Sequence, residues 1–191
     1  MLVIKSFLFD DKCMTVSDFC ENLKRNRKEF LYKCRQNKSV FGMDEDSANL
    51  FAEKITAEIF SFTENKKPYL GQAFIPASIQ FNSQANAGKG IGATPDGREA
   101  GAPLCDSLGA VFGKDKNGPT SLLKSVVSIH LEKALGVPIL NFNIDESWNG
   151  EILKSLLLSY LQMGGIQMQI SCISAETLKD AYKHPALPPG K

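Results

Sequence analysis

An α/β or α+β fold is predicted for this 191-residue chain by three observations. Segments with apolar residues every three or four positions alternate with short segments in which apolar and polar residues alternate. These units follow one another without an internal repeat, as in mixed helix and strand folds. The composition, 43% hydrophobic and 23% charged, is that of an ordinary globular protein. The chain is therefore expected to form a single domain or a large piece of one.

The first 67 residues are predicted to be helical. From Thr15 to Cys34 the apolar period predicts one amphipathic helix, capped by Thr15 or Ser17. The acidic residues 44–46 are interpreted as the N-terminus of a second helix, because a calcium loop would need a glycine and a later glutamate. This helix is expected to bury one apolar face, formed by Phe51, Ala52, Ile55, Ile59 and Phe62.

Residues 68–119 are rich in Gly and Pro and show no helical period. They predict a long ordered loop system with a short strand from Phe74 to Phe81. Loops of this length are uncommon in compact domains and are usually functional. The segment Gly88–Gly92 has the composition of a phosphate-binding loop but not its spacing, so tight turns are the favoured interpretation.

Residues 120–191 are predicted to mix helices and strands. The expected elements are a helix that begins at Pro119, a strand at Val137–Ile144, a helix at Glu151–Met163, a strand at Ile166–Ile173 and a capped helix at Ser174–Lys183. The second strand carries Gln167, Gln169 and Ser171 on one face, which either lines a polar cavity or meets solvent.

Charge and cysteine content exclude several classes of protein. With 22 basic and 21 acidic residues the chain offers no electrostatic case for a nucleic-acid partner, and the basic cluster at residues 24–28 is interpreted as a solvated helix face. Five cysteines without a CxxC pair, together with only two histidines, predict free thiols in a reducing compartment and no metal site. The absence of a long apolar run or an export signal favours a cytoplasmic protein without membrane contact.

No catalytic residue can be assigned from spacing. His130, expected in a helix, and His184 belong to no recognisable catalytic or metal pattern and are interpreted as structural. Cys105 is expected to be a buried and inert thiol, because no basic residue lies near it in sequence.

The segment with the most distinctive residue pattern is Gly92–Arg98. Pro, Asp and Gly in sequence are typical of a tight turn, and the planar fork of Arg98 suits a carboxylate or several backbone carbonyls. Thr94, Asp96, Gly97 and Arg98 are therefore predicted to organise a rigid loop. A less favoured hypothesis makes the Gly88–Arg98 loops a standalone anion-binding site.

Five collinear segments resemble the glycyl radical enzymes, the family of pyruvate formate-lyase (formate acetyltransferase) and of the glycerol, choline and hydroxyproline lyases and dehydratases. The segments are KSVFGMDED at 38–46, GATPDGREAGAPL at 92–104, GKDKNGPTSLLKSV at 113–126, LNFNI at 140–144 and GGIQMQISCISAETLKDAYKHP at 164–185. The resemblance implies part of a ten-stranded α/β barrel. It also implies the anaerobic radical cleavage of C–C, C–O or C–N bonds in a small molecule.

The family's chemistry, as the resemblance implies, uses a cysteine in a Cys-x-Glu loop and a glycine in an Arg-Val-x-Gly-Tyr loop. The glycyl radical is installed by a separate S-adenosylmethionine activase. Neither motif occurs in these 191 residues, and Gly190 lies in an unrelated context, HPALPPGK. We therefore expect a partial enzyme, truncated or split, with no bound cofactor and no independent turnover. The alternative is a non-catalytic scaffold module that complements a separate chain. An incomplete barrel should leave strand edges and apolar faces uncovered, which predicts self-association.

Overall fold

The computed structural model describes residues 1–64, 66–71, 73–78, 83–134 and 136–184. The described elements, in chain order, are α1 (Leu2–Ile4), a π-helical turn (Lys5–Asp10), α2 (Val16–Lys24), α3 (Lys28–Arg35), α4 (Asp46–Glu64), α5 (Gln84–Lys89), α6 (Pro119–Val127), a 3₁₀ turn (Leu131–Lys133), β1 (Ile139–Ile144), α7 (Gly150–Gln162), β2 (Gln167–Cys172) and α8 (Ala175–Lys183). No helix among these residues is long and apolar enough to cross a membrane.

The segment predicted as one helix from Thr15 to Cys34 is two helices, α2 and α3. Asn26 adopts a left-handed conformation with φ of 50°. The N–H of Asn26 donates to Leu23 O at 2.9 Å, and the N–H of Arg27 donates to Asn22 O at 3.2 Å. This pair of hydrogen bonds is a Schellman motif, which ends α2 and reverses the chain. The apolar period continues across the break because both helices pack on the same core.

Helix α2 begins as predicted, with Thr15 Oγ1 accepting a hydrogen bond from the N–H of Asp18 at 3.1 Å. The core under α1, α2 and α3 contains three mutually perpendicular phenylalanine rings, with Phe19 and Phe30 centroids 5.1 Å apart and Phe7 against both. The buried members of this N-terminal core are Val3, Phe19, Phe30, Leu31 and Cys34. The predicted basic cluster at residues 24–28 lies at the turn between α2 and α3, where Lys24, Arg25, Arg27 and Lys28 are all exposed.

Helix α4 forms where it was predicted, but its predicted buried face is largely uncovered. Ile55, Ile59 and Phe62 are exposed, whereas Phe60, on another side of the helix, is buried. The arc of α4 that faces the protein is rotated by roughly 100° from the apolar stripe.

The loop region departs from the prediction in two places. A six-residue helix, α5, occupies Gln84–Lys89, so Gly88 lies within a helix end and not in a tight turn. The predicted strand from Phe74 to Phe81 is not seen at residues 74–77. Ser78 forms a single parallel bridge with Pro138, and the remainder of that prediction lies outside the described residues.

The C-terminal part contains a two-stranded parallel sheet, in which Leu140 pairs with Met168 and Phe142 with Ile170. Pro119 occupies the first turn of α6, as predicted. Asn149 caps α7, and the helix ends at Gln162 before the two glycines. One face of the sheet packs on α6 and α7 in the second, C-terminal core. Its buried members are Leu108, Leu122, Leu123, Val126, Ile129, Leu131, Leu140, Phe142 and Tyr160.

Candidate functional site

The loop of residues 91–102, called here the Arg98 loop, is organised around a buried guanidinium. The Arg98 side chain is 8% exposed. Its Nη1 donates to Ala102 O at 2.6 Å and Glu99 O at 3.1 Å, and its Nη2 donates to Gly92 O and to Ile91 O at 3.4 Å. One side chain thus binds carbonyl oxygens on both arms of the loop, which is the chemistry of a planar five-donor fork.

The tip of the Arg98 loop is a tight turn built from Thr94 and Gly97. The N–H of Gly97 donates to Thr94 O at 2.9 Å, and the N–H of Thr94 donates to Arg98 O at 3.0 Å. Gly97 has φ of 94°, and a Cβ at this position would lie 2.6 Å from Leu31 O. Only glycine satisfies both the left-handed backbone and this close approach to α3.

Two residues hold the Arg98 loop in place: Arg35 at the end of α3 and Asn26 in the turn between α2 and α3. Arg35 Nε donates to Gly97 O at 2.7 Å, and Arg35 Nη2 lies 3.3 Å from Glu99 Oε1. Asn26 Oδ1 accepts a hydrogen bond from the N–H of Ala100 at 2.8 Å. The loop is therefore docked on the turn before α3 and on the last turn of α3.

A cavity of about 490 Å³ lies beside the Arg98 loop, with mostly apolar walls and a polar end. The polar end contains Cys34, Asp96, Cys105 and Lys114. Burial, assisted by the nearby Asp96 carboxylate, raises the pKa of the Cys34 thiol to about 11. Desolvation lowers the pKa of Lys114, whose Nζ donates to Arg35 O. The polar end is thus a desolvated region in which Cys34 stays a thiol at neutral pH.

Cys105 is exposed, so the prediction that it is buried is wrong. Desolvation at the cavity wall and the nearby carboxylates of Asp96 and Asp106 nevertheless raise its pKa. A raised pKa keeps the thiol protonated and therefore a poor nucleophile at neutral pH.

A second polar surface lies on the sheet. The parallel register pairs Asn141 with Gln169 and Asn143 with Ser171, so their side chains share the face opposite Leu140 and Phe142. Gln169 and Asn143 are exposed, whereas Asn141 is half-buried and its Oδ1 has no hydrogen-bond partner. This surface, called here the polar sheet face, comprises Asn141, Asn143, Gln167, Gln169 and Ser171. It carries hydrogen-bonding groups without any formal charge.

The ion-pair partners of the two histidines belong neither to the Arg98 loop nor to the polar sheet face. His130 is not in a helix as predicted. It has φ of 53° after the end of α6, and its ring nitrogens lie 3.1 Å from Glu53 and 3.2 Å from Glu132. His184 follows α8 and lies 4.0 Å from Asp180.

Two of the acidic residues at 44–46 make contacts at the start of α4. One accepts a backbone hydrogen bond from α4, and the other pairs with a lysine of α6. Glu45 Oε2 accepts a hydrogen bond from the N–H of Ala48 at 3.0 Å, and Asp44 pairs with Lys124 at 3.0 Å. Hydrogen bonds from the Ser47 side chain and from the backbone lower the pKa of Glu45. Among the described residues, no group of three His, Cys, Asp or Glu side chains is arranged to hold a metal ion.

The sequence did not identify the two residues that dock the Arg98 loop, or the contact that Lys114 makes with Arg35 O beside it. Arg35, Asn26 and Lys114 join positions 62 to 79 residues apart. Each has an ordinary sequence context, because Arg35 ends a helix, Asn26 ends another and Lys114 lies in a polar loop. Only the approach of α3 to the loop gives them a role.

Known proteins resemble this chain over nearly its whole length. The family model described as Glycine radical matches residues 106–189. Isethionate sulfite-lyase of Oleidesulfovibrio alaskensis is 28% identical over 97% of this chain and 23% of its own length. Indoleacetate decarboxylase of Tractidigestivibacter scatoligenes is 31% identical over 76% of this chain and 17% of its own length.

A solved structure shows the same arrangement of helices and strands. The glycerol-bound form of the B12-independent glycerol dehydratase from Clostridium butyricum matches with a TM-score of 0.86 and 27% identity, over 96% of this chain and 24% of that protein. The chain therefore spans less than a quarter of the length of these relatives. Its two described strands do not by themselves show the predicted ten-stranded barrel. The chain belongs to the glycyl radical enzyme family, of which it represents a partial segment.

Proposed function

We propose that these residues form one part of the barrel of a glycyl radical enzyme of the dehydratase, lyase or decarboxylase type. The chemistry is radical cleavage of a C–C, C–O or C–N bond in a small molecule. The observation that carries this proposal is the likeness, over 96% of the chain, to a glycerol dehydratase. Relatives that match a comparable share of this chain include a lyase and a decarboxylase.

The polar sheet face is the surface that this segment contributes to the reaction cavity. Parallel strands are almost always covered on both faces. Here one face is covered by the C-terminal core, whereas Gln167 and Gln169 on the other face are exposed. Side-chain amides and a hydroxyl suit a small neutral or hydroxylated substrate, because they donate and accept hydrogen bonds without imposing a charge.

Turnover requires groups that these residues lack. None of the five cysteines is followed by Glu at the second position, and no Arg-Val-x-Gly-Tyr sequence occurs. The Arg98 loop has a positioning role in this proposal, because both terminal nitrogens of Arg98 donate to backbone carbonyl oxygens of the loop itself. The partner is a polypeptide that carries the cysteine loop and the radical glycine.

Electron paramagnetic resonance tests this proposal directly. The 191-residue chain is incubated anaerobically with a glycyl radical activase, S-adenosylmethionine and a reductant, beside a complete glycyl radical enzyme as positive control. We expect the glycyl doublet in the control and no signal from the chain. A doublet from the chain alone would overturn the proposal.

The genomic neighbourhood separates an incomplete enzyme from a scaffold module. Adjacent reading frames that encode a Cys-x-Glu loop and an Arg-Val-x-Gly-Tyr loop would identify the partner polypeptide. Co-expression with those frames should then restore the doublet. A co-purified complex that never yields a radical would instead support a non-catalytic scaffold.

A further inference from the structure

The cavity beside the Arg98 loop has the size and the lining of a small-molecule site. Its volume of about 490 Å³ falls within the range of about 300–1,000 Å³ that is typical of ligand pockets. Its apolar walls include aliphatic side chains from several segments, among them Val40, Leu108, Val111 and Ile129. No residue of the polar sheet face lines this cavity. It is therefore a second site, separate from the surface used in the proposed function.

The polar end of the cavity holds an anion without a partner. Burial has the largest effect on the pKa of Cys34, Cys105 and Lys114, but the Asp96 carboxylate is near enough to act on all three. Among the described residues, however, this carboxylate forms neither a hydrogen bond nor an ion pair. Asp96 and Lys114 are thus close neighbours that do not pair with each other directly, which leaves room for a group that contacts both.

The same end of the cavity holds a cation with donors to spare. Lys114 Nζ donates to Arg35 O, whereas an ammonium group carries three N–H donors. Desolvation lowers the pKa of Lys114, so its charged form lacks part of the solvation that water would provide. The oxygens of a ligand carboxylate would replace that solvation.

The other polar groups nearby add no unpaired charge. Arg35 lies 3.3 Å from Glu99 and pairs with it. Burial raises the pKa of both thiols, so Cys34 and Cys105 are neutral at neutral pH. The polar end therefore offers one negative and one positive group, Asp96 and Lys114, to a ligand.

We propose that this cavity binds a small zwitterion, an α-amino acid with an aliphatic side chain. The ammonium group of the ligand lies against the Asp96 carboxylate, and its carboxylate lies against Lys114 Nζ. The side chain occupies the apolar part of the cavity. A simple acid would bring a like charge to Asp96, and a simple amine would bring one to Lys114, so the site discriminates against both.

Three matched compounds test the charge pattern on the wild-type 191-residue chain. L-leucine carries both charges, 4-methylpentanoate lacks the ammonium group and 3-methylbutylamine lacks the carboxylate. Titrations followed by the amide resonances of the protein measure the affinity of each and locate the site. L-leucine should shift the resonances of cavity residues such as Leu108 and Val111. The other two compounds should bind about tenfold more weakly or worse, because each leaves one protein charge unpaired.

Two substitutions assign the charges to their residues. Asp96→Asn should weaken L-leucine about tenfold or more and remove the preference for L-leucine over 4-methylpentanoate. Lys114→Met should weaken it similarly and remove the preference over 3-methylbutylamine. Asp180→Asn and Lys179→Met are the matched controls, since both residues are exposed on α8, and they should keep the wild-type affinity. Circular dichroism confirms that each variant is folded.

The compound series keeps the test decisive even where a variant fails to fold, because it uses the wild-type chain alone. Absence of L-leucine binding would overturn the proposal and assign the cavity to packing against the remainder of the fold. Equal affinities for the three compounds, or resonance shifts confined to residues outside the cavity, would also overturn it.

Discussion

At the scale of single residues, the Arg98 loop depends on one buried cation. A guanidinium at 8% exposure is costly to desolvate, and its hydrogen bonds to Ala102 O, Gly92 O, Glu99 O and Ile91 O offset that cost. The turn sequence Pro95–Gly97 and the arginine that follows it were sufficient to predict a rigid loop. They were not sufficient to predict which surface the loop is docked on.

Replacement of Arg98 should destabilise the protein strongly. Arg98→Ala removes the donor shared by four carbonyl oxygens of the loop and should lower the free energy of unfolding by about 2–3 kcal/mol. Arg98→Lys should recover only part of this loss, because an ammonium group cannot span both arms of the loop. Urea denaturation followed by circular dichroism measures the effect.

Arg25→Ala is the control for Arg98. Its side chain is 60% exposed and pairs with Glu21 on the helix surface. Such pairs contribute about 0–1 kcal/mol. Equal losses from Arg25→Ala and Arg98→Ala would contradict a special role for the buried guanidinium.

Ionisation of the Cys34 thiol makes the free energy of unfolding depend on pH in the alkaline range. Burial raises the pKa of this thiol to about 11 in the folded state. In the unfolded chain the pKa of a cysteine thiol is about 8.5. Between these values the unfolded chain has released a proton that the folded chain retains, so stability falls as pH rises. The loss should approach about 2–3 kcal/mol by pH 11.

Cys34→Ala isolates this effect from other alkaline titrations. The variant lacks the thiol, so its free energy of unfolding should fall less steeply over the same pH interval than that of the wild type. Leu31→Val alters the same buried cluster but retains the thiol, and it should keep the wild-type slope. Parallel slopes for Cys34→Ala and the wild type would contradict the assignment.

At the scale of elements, helix ends explain the main departure from the sequence pattern. The apolar period from Thr15 to Cys34 is continuous, but Asn26 in a left-handed conformation separates α2 from α3. Asparagine is among the few residues that adopt this conformation at small cost. An apolar period in the sequence indicates which residues face the core, but it does not indicate where the backbone turns.

Substitutions at Asn26 should separate its two roles. Asn26→Gly keeps the left-handed turn but removes the acceptor for the Ala100 N–H, with an expected loss of about 1 kcal/mol. Asn26→Ala removes the acceptor and also places a Cβ in a left-handed conformation, so a further loss of about 1 kcal/mol is expected. Thermal unfolding measures both, and an alanine variant as stable as the glycine variant would contradict a strained turn.

At the scale of the whole molecule, the described residues form two hydrophobic cores connected by loops. The N-terminal core lies under α1 to α3, and the C-terminal core lies between the sheet and the helices α6 and α7. The Arg98 loop and Lys114 contact the N-terminal helices, whereas β1 begins beside Leu108 and Ser78. This arrangement leaves the polar sheet face uncovered, together with Ile55, Ile59 and Phe62 on α4. The chain spans less than a quarter of the length of its relatives.

The two faces of β1 should respond differently to truncation. Leu140 is fully buried, and Leu140→Ala should cost about 2–5 kcal/mol. Asn143→Ala, three residues later on the exposed face, should change stability by no more than about 0.5 kcal/mol. Denaturant titrations give the free energy of unfolding of both variants. A large loss of stability in Asn143→Ala would contradict an open polar face.

The sequence by itself determined the position of most elements and the family. Periodicity places α4, α6, β1, α7, β2 and α8, because local spacing decides which residues share a face. The five collinear segments identify the family, and the comparisons confirm it. The turn chemistry at Pro95–Gly97 and the caps at Thr15 and Ser174 are equally local.

Only the tertiary structure decided what each surface faces. The exposure of Ile59 and Phe62, the position of Cys105 at a cavity wall and the docking of Arg98 between distant segments depend on contacts across 62 or more residues. Local spacing makes an apolar stripe but carries no information about the element that covers it. On α4, most of the face that the spacing predicted as core is exposed for this reason.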